Sequence, residues 1–343
     1  MRPLTPQRIF GLCAALVAIL FAECVVSLWM GAYSISIVDI VKTLFNGAIG
    51  HWDSVPDEYR SVIFDIRLPR IALGILVGAS LSTAGAGFQA LLRNPLADPY
   101  VLGVSSGAAL GAIVSLIIAP HVVGAIQVAA FIGAAATVGV VFFLGRRGGH
   151  LDTATLLLAG IVAASFLSAV IMFLMTTLSG RDLRGMAFWL MGDLQGTPPI
   201  QNVPAWFAFL FTIFLVAAGA MYTTASDLNL MLTGEQEASH LGVNVSRVKL
   251  VVYVTASILT GLAVSVSGAI GYVGLLVPHA MRFLFGTDYR LLIPTSILGG
   301  AIAIVLADTL ARTIVMPSEL PVGAMTALAG APVFIYLMRR RVR

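Results

Sequence analysis

Long apolar stretches alternate with short polar ones along almost the whole chain. About ten of these stretches are long enough to cross a bilayer as helices, because the hydrocarbon core takes roughly 20 residues of helix. They lie near 9–30, 68–91, 100–119, 122–144, 153–177, 203–222, 248–266, 271–285, 292–311 and 321–338. The pattern predicts an all-α, polytopic membrane protein whose single transmembrane domain covers 1–343.

Composition strengthens this prediction. Hydrophobic residues make up 59% of the 343 residues and charged residues only 10%, and the mean hydropathy is +0.97. One soluble core could not bury so much apolar surface, whereas lipid can cover it. The net charge of +4 comes without a basic surface interleaved with aromatic residues, so nucleic-acid binding is not expected.

The first apolar stretch is interpreted as a retained span rather than a signal peptide. Arg2 and Arg8 precede it, but no small-residue cleavage site ends it. Its two cysteines, Cys13 and Cys24, lie too far apart along one helix to form a disulfide with each other.

Small residues recur at every fourth position in the second and third predicted spans. They are Gly74, Gly78 and Ser82, then Gly103, Gly107 and Gly111. This spacing lets helix backbones approach closely in lipid, so close packing is the expected role. Pro95 and Pro99 predict a tight turn between these two spans, and Gly268 and Pro278 predict breaks in the seventh and eighth.

Basic residues are divided unequally between the two sides that ten spans define. The side of the termini carries Arg2, Arg8, Arg93, Arg146, Arg147, Arg247, Lys249, Arg282, Arg290, Arg339, Arg340, Arg341 and Arg343. The other side carries Lys42, Arg60, Arg67, Arg70, Arg181, Arg184 and Arg312. Because basic residues accumulate in cytoplasmic loops, both termini are expected to be cytoplasmic.

The longest polar interruption on the side of the termini is segment 226–249, SDLNLMLTGEQEASHLGVNVSRVK. Thr233 followed by Gln236 matches a capping box, and Gly242 suits a left-handed helix stop. The segment therefore predicts a short amphipathic helix over 234–241.

Such a helix needs support from its surroundings. Glu235 and Glu237 fall in its first turn, where the helix dipole favours negative charge. A helix this short is not stable alone in water. We expect it to lean on the membrane core through Ala238 and Leu241, or on a partner protein. A plain solvated loop is the competing interpretation.

The chain lacks the common signatures of a nucleotide or metal site. A phosphate-binding loop ends in Lys-Ser or Lys-Thr after a Gly-rich turn, but the only lysines, Lys42 and Lys249, both follow valine. The five histidines are scattered without metal-ligand spacing. We therefore expect neither ATP hydrolysis nor a metal site in this chain.

One catalytic pattern needs weighing. Residues 103–107 fit G-x-S-x-G. A nucleophile elbow belongs between a strand and a helix, whereas this match opens a predicted membrane helix. An intramembrane serine protease that pairs Ser105 with His279 is the weaker alternative that follows.

Few ionisable residues fall inside the predicted spans. Asp308 and Arg312 are four positions apart with the acid first, which is the favourable order for a helical ion pair. Glu23 lies near the outer end of the first span and is expected to be interfacial. An ion-coupled secondary transporter would need such acids to face a cavity, and this class is the second alternative.

Four segments carry a specific resemblance to a known family. They read RLPRIALGILVGASLSTAGAGFQALLRNPLADPYVLGVSSGA, LTGEQEASHLGV, GAIGYVGLLVPHAMR, and ADTLAR followed by ELPVGAMTALAGAPVFIYLM. In this order they resemble the FecCD-type permeases, the membrane subunits of type II ABC importers for vitamin B12, haem and ferric siderophores. The resemblance implies a ten-helix permease fold. It also implies that this chain binds no cofactor and that ATP and Mg belong to a partner ATPase.

The resemblance assigns roles to particular residues. In the family, the loop that matches 226–249 forms coupling helices that sit in a cleft of the ATPase subunit. The residues that match this motif are Leu232, Gly234, Glu235, Gln236, Ala238, Leu241, Gly242 and Val243. Outer-face arginines of the family, matched by Arg67, Arg70 and Arg312, receive acidic residues of a substrate-binding protein. The competing interpretation is that Arg67 and Arg70 only anchor the interface or pair with Asp65.

The resemblance further implies a homodimer, or a pair with a homologous permease, with the pathway at the two-fold axis. The fifth helix would line it partly, through Ser165, Ser168, Met172 and Thr176. The same stripe could equally be a helix-packing face.

The implied protein is a bacterial inner-membrane permease that imports a bulky metal chelate such as a ferric siderophore, haem or cobalamin. Phe188, Trp189 and Asp193, within 179–201, are expected to touch the cargo. No cage of His or Tyr singles out haem.

Overall fold

The structure, a computed structural model, describes residues 5–31, 33–147, 150–177, 180–195, 203–316 and 318–341. Within these ranges a two-residue antiparallel hairpin, β1 (Arg146–Arg147) and β2 (His150–Leu151), interrupts an otherwise helical chain. The helices are α1 (Pro6–Trp29), α2 (Ile37–Ala48), α3 (Asp57–Arg60), α4 (Leu68–Leu91), α5 (Val104–Ile118), α6 (Ala125–Gly145), α7 (Thr153–Thr177), α8 (Gly180–Met191), α9 (Val203–Thr223), α10 (Ala225–Met231), α11 (Glu235–His240), α12 (Val245–Ser267), α13 (Val273–Phe285), α14 (Tyr289–Thr313) and α15 (Val322–Arg341).

Ten of the described helices account for the predicted spans. Seven are long and apolar enough to cross a bilayer: α1, the continuous helix that ends in α4, α6, α7, α9, α12 and α14. Three shorter apolar helices, α5, α13 and the first part of α15, occupy the other predicted positions. The bounds of α4 and α7 coincide with the predicted 68–91 and 153–177, and the remaining ends shift by a few residues. The prediction of an all-α, polytopic membrane protein is confirmed.

The spans α4, α12 and α14 are the most buried and form the centre of the bundle. α4 packs against α12, α13 and α14, and nearly all of its residues are buried. α1, α7 and α9 instead expose most of their residues, as helices at a lipid boundary do. All these helices are apolar, so the small residues of α4, rather than its hydrophobicity, allow it to be surrounded on every side.

α4 and α14 approach each other closely. A methyl group on Gly78 would overlap the backbone carbonyl of Gly300, and a methyl group on Gly300 would overlap that of Gly78. One turn further along α4, the Ser82 hydroxyl donates a hydrogen bond to the Ser296 carbonyl at 2.5 Å. The close packing predicted from the four-residue spacing is confirmed at these positions.

Non-helical backbone enters the bundle at two places, before α5 and before α13. The Tyr100 hydroxyl donates to the Ile270 carbonyl at 2.8 Å and accepts from the Ile270 N–H at 2.9 Å, which ties the two places together. Gly268 ends α12 with a φ of 66°, as the predicted break requires. Backbone groups inside a membrane protein need such internal partners, because lipid offers none.

Buried polar groups also support the broken helix α13. Pro278 has no N–H to donate to the Gly274 carbonyl. The Gln89 amide of α4 lies 3.4 Å from that carbonyl and 3.1 Å from the Leu275 carbonyl, donating to both. Arg282 in turn donates to the Gln89 side-chain oxygen at 2.8 Å.

The segment between α1 and α4 is structured, as expected. It contains α2 and α3, and a π-helical stretch, Ser61–Arg67, continues directly into α4. The Trp52 ring packs edge-on against Phe64, and the Arg60 guanidinium stacks over Trp52 at 4.6 Å. The segment is therefore held against the end of the bundle by aromatic contacts.

Candidate functional site

Segment 226–249 folds into the end of α10, all of α11 and the start of α12. The predicted helix over 234–241 is present as α11, and Gly242 follows it with a φ of 89°, the predicted left-handed stop. The predicted capping box is wrong. Thr233 donates its hydroxyl to the Leu230 carbonyl at 2.7 Å, so it completes the end of α10 instead of starting α11, and Gly234 occupies the N-cap position.

The short helix presents two unlike faces. Ala238 is fully buried and Val243 nearly so, and both belong to the main hydrophobic core. Leu232 and Leu241 are 58% and 65% exposed, and Gln236 is exposed between them. The expected support from the membrane core is therefore found for Ala238 but not for Leu241. Two exposed leucines on a polar segment leave an apolar surface that a partner can cover.

Glu235 fixes α11 to two spans. Its carboxylate lies 2.7 Å from Lys249 Nζ near the start of α12 and 3.5 Å from Arg93 Nη2 just after α4. The Lys249 side chain is only 9% exposed, so this contact is more than a surface pair. Arg93 also donates to the Met231 carbonyl at the end of α10, at 3.4 Å. Glu235 therefore faces its own chain and holds α11 in place.

A third link joins α10 to α14. The Asn229 side-chain amide donates to Asp288 Oδ1 at 2.7 Å, and its oxygen accepts from the Tyr289 N–H at 2.9 Å. Asp288 is also the N-cap of α14, accepting from the Arg290 N–H at 3.0 Å. Sequence reasoning missed this link, although an aspartate just before an apolar helix is a recognisable cap signal.

A buried network lies at the opposite end of α14, about 30 Å away by helix rise over 20 residues. Arg70 Nε donates to Asp308 Oδ1 at 2.7 Å, and Arg312 Nε lies 3.0 Å from Asp308 Oδ2. Arg70 Nη1 donates to Glu319 Oε2 at 2.7 Å. We call Arg70, Asp308, Arg312 and Glu319 the arginine network. The ion pair predicted for Asp308 and Arg312 is confirmed.

Two arginines at this end hold the end of α1. Arg312 Nη2 donates to the Ser27 hydroxyl at 2.7 Å. The Arg67 guanidinium donates to the carbonyls of Leu28 and Tyr33. The last carbonyls of a helix lack intrahelical partners, so these cations complete the end of α1 and bind it to α4 and α14.

These contacts bury the three arginines that were expected to receive acidic residues of a binding protein. Arg67, Arg70 and Arg312 are 3%, 5% and 6% exposed in this chain, because its own carbonyls and carboxylates surround them. The competing pairing of Arg70 with Asp65 is not found either, since its acidic partners are Asp308 and Glu319. Docking of a binding protein on these arginines stays a prediction.

The stripe predicted to line a pathway lies on the exposed side of α7. Ser165, Ser168, Met172 and Thr176 are all exposed in the single chain, and Met172 is 70% exposed. The Thr176 hydroxyl donates to the Phe173 carbonyl at 2.8 Å, so its polarity is satisfied within the helix. The stripe is available to lipid, to water or to another copy. Its lining role stays a prediction.

A cavity of about 570 Å³ opens beside the arginine network. It is lined by Asp65, Ile66, Arg70, Phe188, Leu194, Gln195 and Glu319. Of the expected cargo contacts, Phe188 lines it, whereas Trp189 packs against the hydrophobic core. The Asp193 N–H donates to the Ser267 carbonyl at 2.8 Å, and burial raises the pKa of its carboxyl. Residue 179 and residues 196–201 of the predicted cargo segment 179–201 lie outside the described residues.

The G-x-S-x-G match has no catalytic setting. Gly103 has a φ of 75° and follows a 3₁₀ turn, Pro99–Leu102, and Ser105 lies in the first turn of α5. A methyl group on Gly107 would overlap Thr137 of α6, so this glycine serves helix packing. The strand-to-helix turn that a nucleophile elbow requires is not what the described residues 99–107 form.

Comparison with known proteins decides the family. The FecCD transport family model matches residues 18–340, nearly the full chain. The chain belongs to the FecCD transport family. This FecCD chain is 45% identical to the cobalamin import system permease protein BtuC of Halobacterium salinarum over 84% of its own length and 76% of that protein's. It is 40% identical to the hemin transport system permease protein HmuU of Yersinia pestis, over 91% and 90% of the two lengths.

Two further comparisons extend this result. The FecCD chain is 37% identical to the Fe(3+)-citrate import system permease protein YfmD of Bacillus subtilis, covering 92% of this chain and 90% of that protein. A solved structure titled as an inward-facing conformation of a metal-chelate type ABC transporter matches it with a TM-score of 0.83 at 29% identity. The match covers 98% of this chain and 100% of that one. The predicted fold of a type II ABC importer permease is confirmed.

Proposed function

We propose that this chain, paired with a second copy or a homologous permease, forms the membrane pathway of an importer. A separate cytoplasmic ATPase dimer drives it, and an extracytoplasmic binding protein loads it. The observation that carries the proposal is α11, a short helix in a polar segment of a chain of the FecCD transport family. Glu235 ties it to Lys249 of α12 and to Arg93 after α4, the neighbouring α10 is bonded to α14, and Leu232 and Leu241 are exposed beside it. A helix held by its own chain on one side and exposed on the other can pass a partner's movement to the spans.

The proposed cargo is a bulky metal chelate. The relatives are named for cobalamin, hemin and ferric citrate, which differ in shape and charge but share a chelated metal. The exposed hydroxyls and thioether of the α7 stripe suit a path along which a large chelate moves without binding tightly. We place this stripe at the axis between the two permease copies.

The proposed orientation places both termini and α11 in the cytoplasm of a bacterial inner membrane. Basic residues support it. Thirteen of the 20 basic residues in the sequence fall on the side of the termini, where Arg93, Lys249 and Arg290 surround α10 and α11, and seven fall on the side of Arg67, Arg70 and Arg312. The end richer in basic residues is the cytoplasmic one.

Binding-protein docking on Arg67, Arg70 and Arg312 is proposed to proceed by exchange. The Glu319 side chain is 33% exposed, whereas that of Asp308 is 3% exposed. An acidic residue of the binding protein can therefore reach Arg70 by displacing Glu319. Such exchange of charge partners orients docking more than it adds affinity.

Reconstitution tests the proposal. Vesicles that contain only this chain are expected to show neither ATP hydrolysis nor concentrative uptake. Vesicles with the cognate ATPase inside and the loaded binding protein outside are expected to accumulate chelate as ATP is consumed. Uptake that follows an imposed proton or sodium gradient without ATP would instead establish the ion-coupled carrier and overturn the proposal.

A further inference from the structure

The link between α10 and α14 joins two segments that each lie next to a glycine in a backbone conformation that favours glycine. Gly234 follows α10 with a φ of 141°, and Gly286 precedes the α14 cap with a φ of 110°. Both conformations are strained for any residue with a side chain. The chain turns sharply at both positions, and Asn229 joins the helices that lie beside them.

The side-chain nitrogen and oxygen of Asn229 both bond to the start of α14. The nitrogen donates to Asp288 Oδ1 and the oxygen accepts from the Tyr289 N–H, at 2.7 Å and 2.9 Å. A side chain that donates to one residue and accepts from the next fixes orientation as well as distance. Hydrogen bonds from Arg290 lower the pKa of Asp288 to about 2, so its carboxylate is charged throughout the physiological pH range.

α10 moves with α11 because the core holds them together. Leu228 and Met231 of α10 and Ala238 of α11 are at most 5% exposed and belong to one hydrophobic cluster. The Thr233 hydroxyl and the Gly234 N–H close the turn between the two helices through bonds to carbonyls of α10. A displacement of α11 therefore reaches Asn229.

α14 extends from the residues that Asn229 binds to the opposite end of the bundle. It is a 25-residue helix of about 37 Å, with Asp288 as its cap and Asp308 and Arg312 in its last turns. Its contact with α4 at Gly78 and Gly300 leaves no room for the helix to bend inward. One continuous helix therefore joins Asp288 to the arginine network.

We propose that the paired hydrogen bonds of Asn229 with Asp288 and Tyr289 are the joint that transmits displacement of α11 along α14 to the arginine network. Asn229 is a positioning residue: it touches neither cargo nor nucleotide and acts through α14. This inference rests on the proposed function. Spatial continuity alone does not establish coupling, so the test measures coupling directly.

The experiment uses the complete importer in proteoliposomes, with its cognate ATPase and loaded binding protein. It measures ATP hydrolysis and uptake separately. Asn229→Ala is expected to leave ATP hydrolysis in place and lower uptake per ATP about tenfold, the effect of losing one hydrogen bond to a charged group. Asn229→Asp places a second carboxylate against Asp288 and is expected to do the same.

Asn229→Asp separates loss of the bond to Asp288 from loss of side-chain volume, because aspartate has nearly the shape of asparagine. Its carboxylate can still accept from the Tyr289 N–H but can no longer donate to Asp288. Asn46→Ala is the control, because it removes a side-chain hydrogen bond, from the Asn46 amide to the Ser54 hydroxyl, in the segment between α1 and α4 and away from α10 and α14.

The outcomes separate the two ideas. A wild-type complex that neither hydrolyses ATP nor accumulates chelate overturns the proposed function. A transporting wild-type complex whose Asn229→Ala variant keeps the same uptake per ATP overturns the joint. If Asn229→Ala does not assemble, Asn229→Asp decides: an assembled Asn229→Asp complex that keeps wild-type uptake per ATP overturns the joint, and one that hydrolyses ATP with lowered uptake per ATP supports it.

Discussion

Arg70 and Asp308 are separated by 238 positions in sequence and meet at 2.7 Å, with each side chain almost sealed from solvent. Arg312 approaches the second oxygen of the same carboxylate at 3.0 Å. One buried carboxylate, Asp308, therefore pairs with two guanidinium groups, Arg70 of α4 and Arg312 of α14. Removing a partner from such a group leaves charge uncompensated in a dry environment, which costs more than the intact pair contributes.

Asp308→Asn is expected to destabilise the chain by about 3 to 5 kcal/mol, because Arg70 and Arg312 would then face each other without the anion between them. The measurement is the unfolding temperature of the purified protein in detergent. Asp57→Asn removes an exposed acid from the first turn of α3 and is the control. An Asp308→Asn protein as stable as the control would mean that water reaches the network.

Glu319→Gln is expected to raise affinity for the substrate-binding protein by about threefold, since exposed charge contacts contribute at most about 1 kcal/mol. The change weakens the bond that occupies Arg70 Nη1 and leaves it for an acid of the partner. Surface plasmon resonance at low salt measures the affinity. Asp65→Asn is the matched control, because it removes the same charge beside the same cavity without a contact to Arg70. Equal gains in affinity for the two variants would mean that the change in net charge, and not the release of Arg70, raises the affinity.

Glu235→Gln and Lys249→Met are each expected to lower ATP-driven uptake several-fold, because the tie of α11 to α12 contributes about 1 kcal/mol or more. Exchanging the two charges, with Glu235→Lys and Lys249→Glu together, is expected to recover part of the loss. Uptake into proteoliposomes is measured. Glu237→Gln serves as the control, since this exposed acid lies in the same helical turn. A loss in the control as large as in Glu235→Gln would assign the effect to helix stability.

Leu241→Ala is expected to weaken assembly with the ATPase by about 1 to 2 kcal/mol, the range for truncating an apolar side chain in an interface. Its side chain is 65% exposed in the free chain, so the change leaves the core intact. Co-purification at graded detergent dilution reports assembly. Val122→Ala, which shortens a 61% exposed side chain in the α5–α6 connection, is the control. Retention of the ATPase at wild-type levels by Leu241→Ala would remove this leucine from the interface.

Gly78→Ala is expected to destabilise the bundle by about 1 to 3 kcal/mol, because the added methyl group forces α4 and α14 apart. Gly219→Ala in α9 meets no atom within 4 Å and is expected to be neutral or to stabilise by up to about 1 kcal/mol. Thermal unfolding of the two variants compares them in one assay. Equal unfolding temperatures would show that α4 and α14 can adjust their spacing freely.

The sequence predicted well what local pattern controls. Apolar length placed both ends of α7 and the end of α4, and Gly242 marked the end of α11 because the left-handed stop is a property of one position. The capping box failed for a local reason as well. Thr233 lies between α10 and α11. Its hydroxyl donates to the Leu230 carbonyl of α10 and does not accept from the N–H groups of α11.

Long-range partners could not be read from pattern. Arg70 was correctly assigned to one end of the bundle, but its partner Glu319 lies 249 positions later, so its burial depended on how α14 and α15 pack. The same holds for Asn229, whose partner is 59 positions away on another helix. Charge and hydropathy sort residues by side, and only the tertiary structure tells which of them face each other.

The paired bond between Tyr100 and Ile270 has a consequence for how the membrane interior stays dry. A single phenol gives one proton and receives another from the same residue, which is the work an ordered water molecule does elsewhere. Phenylalanine at position 100 would leave the Ile270 N–H and carbonyl without this hydrogen-bond partner, and a water molecule would have to enter the bundle to replace it. The Tyr100 hydroxyl thus takes the place of a bound water molecule where the non-helical stretches before α5 and α13 meet.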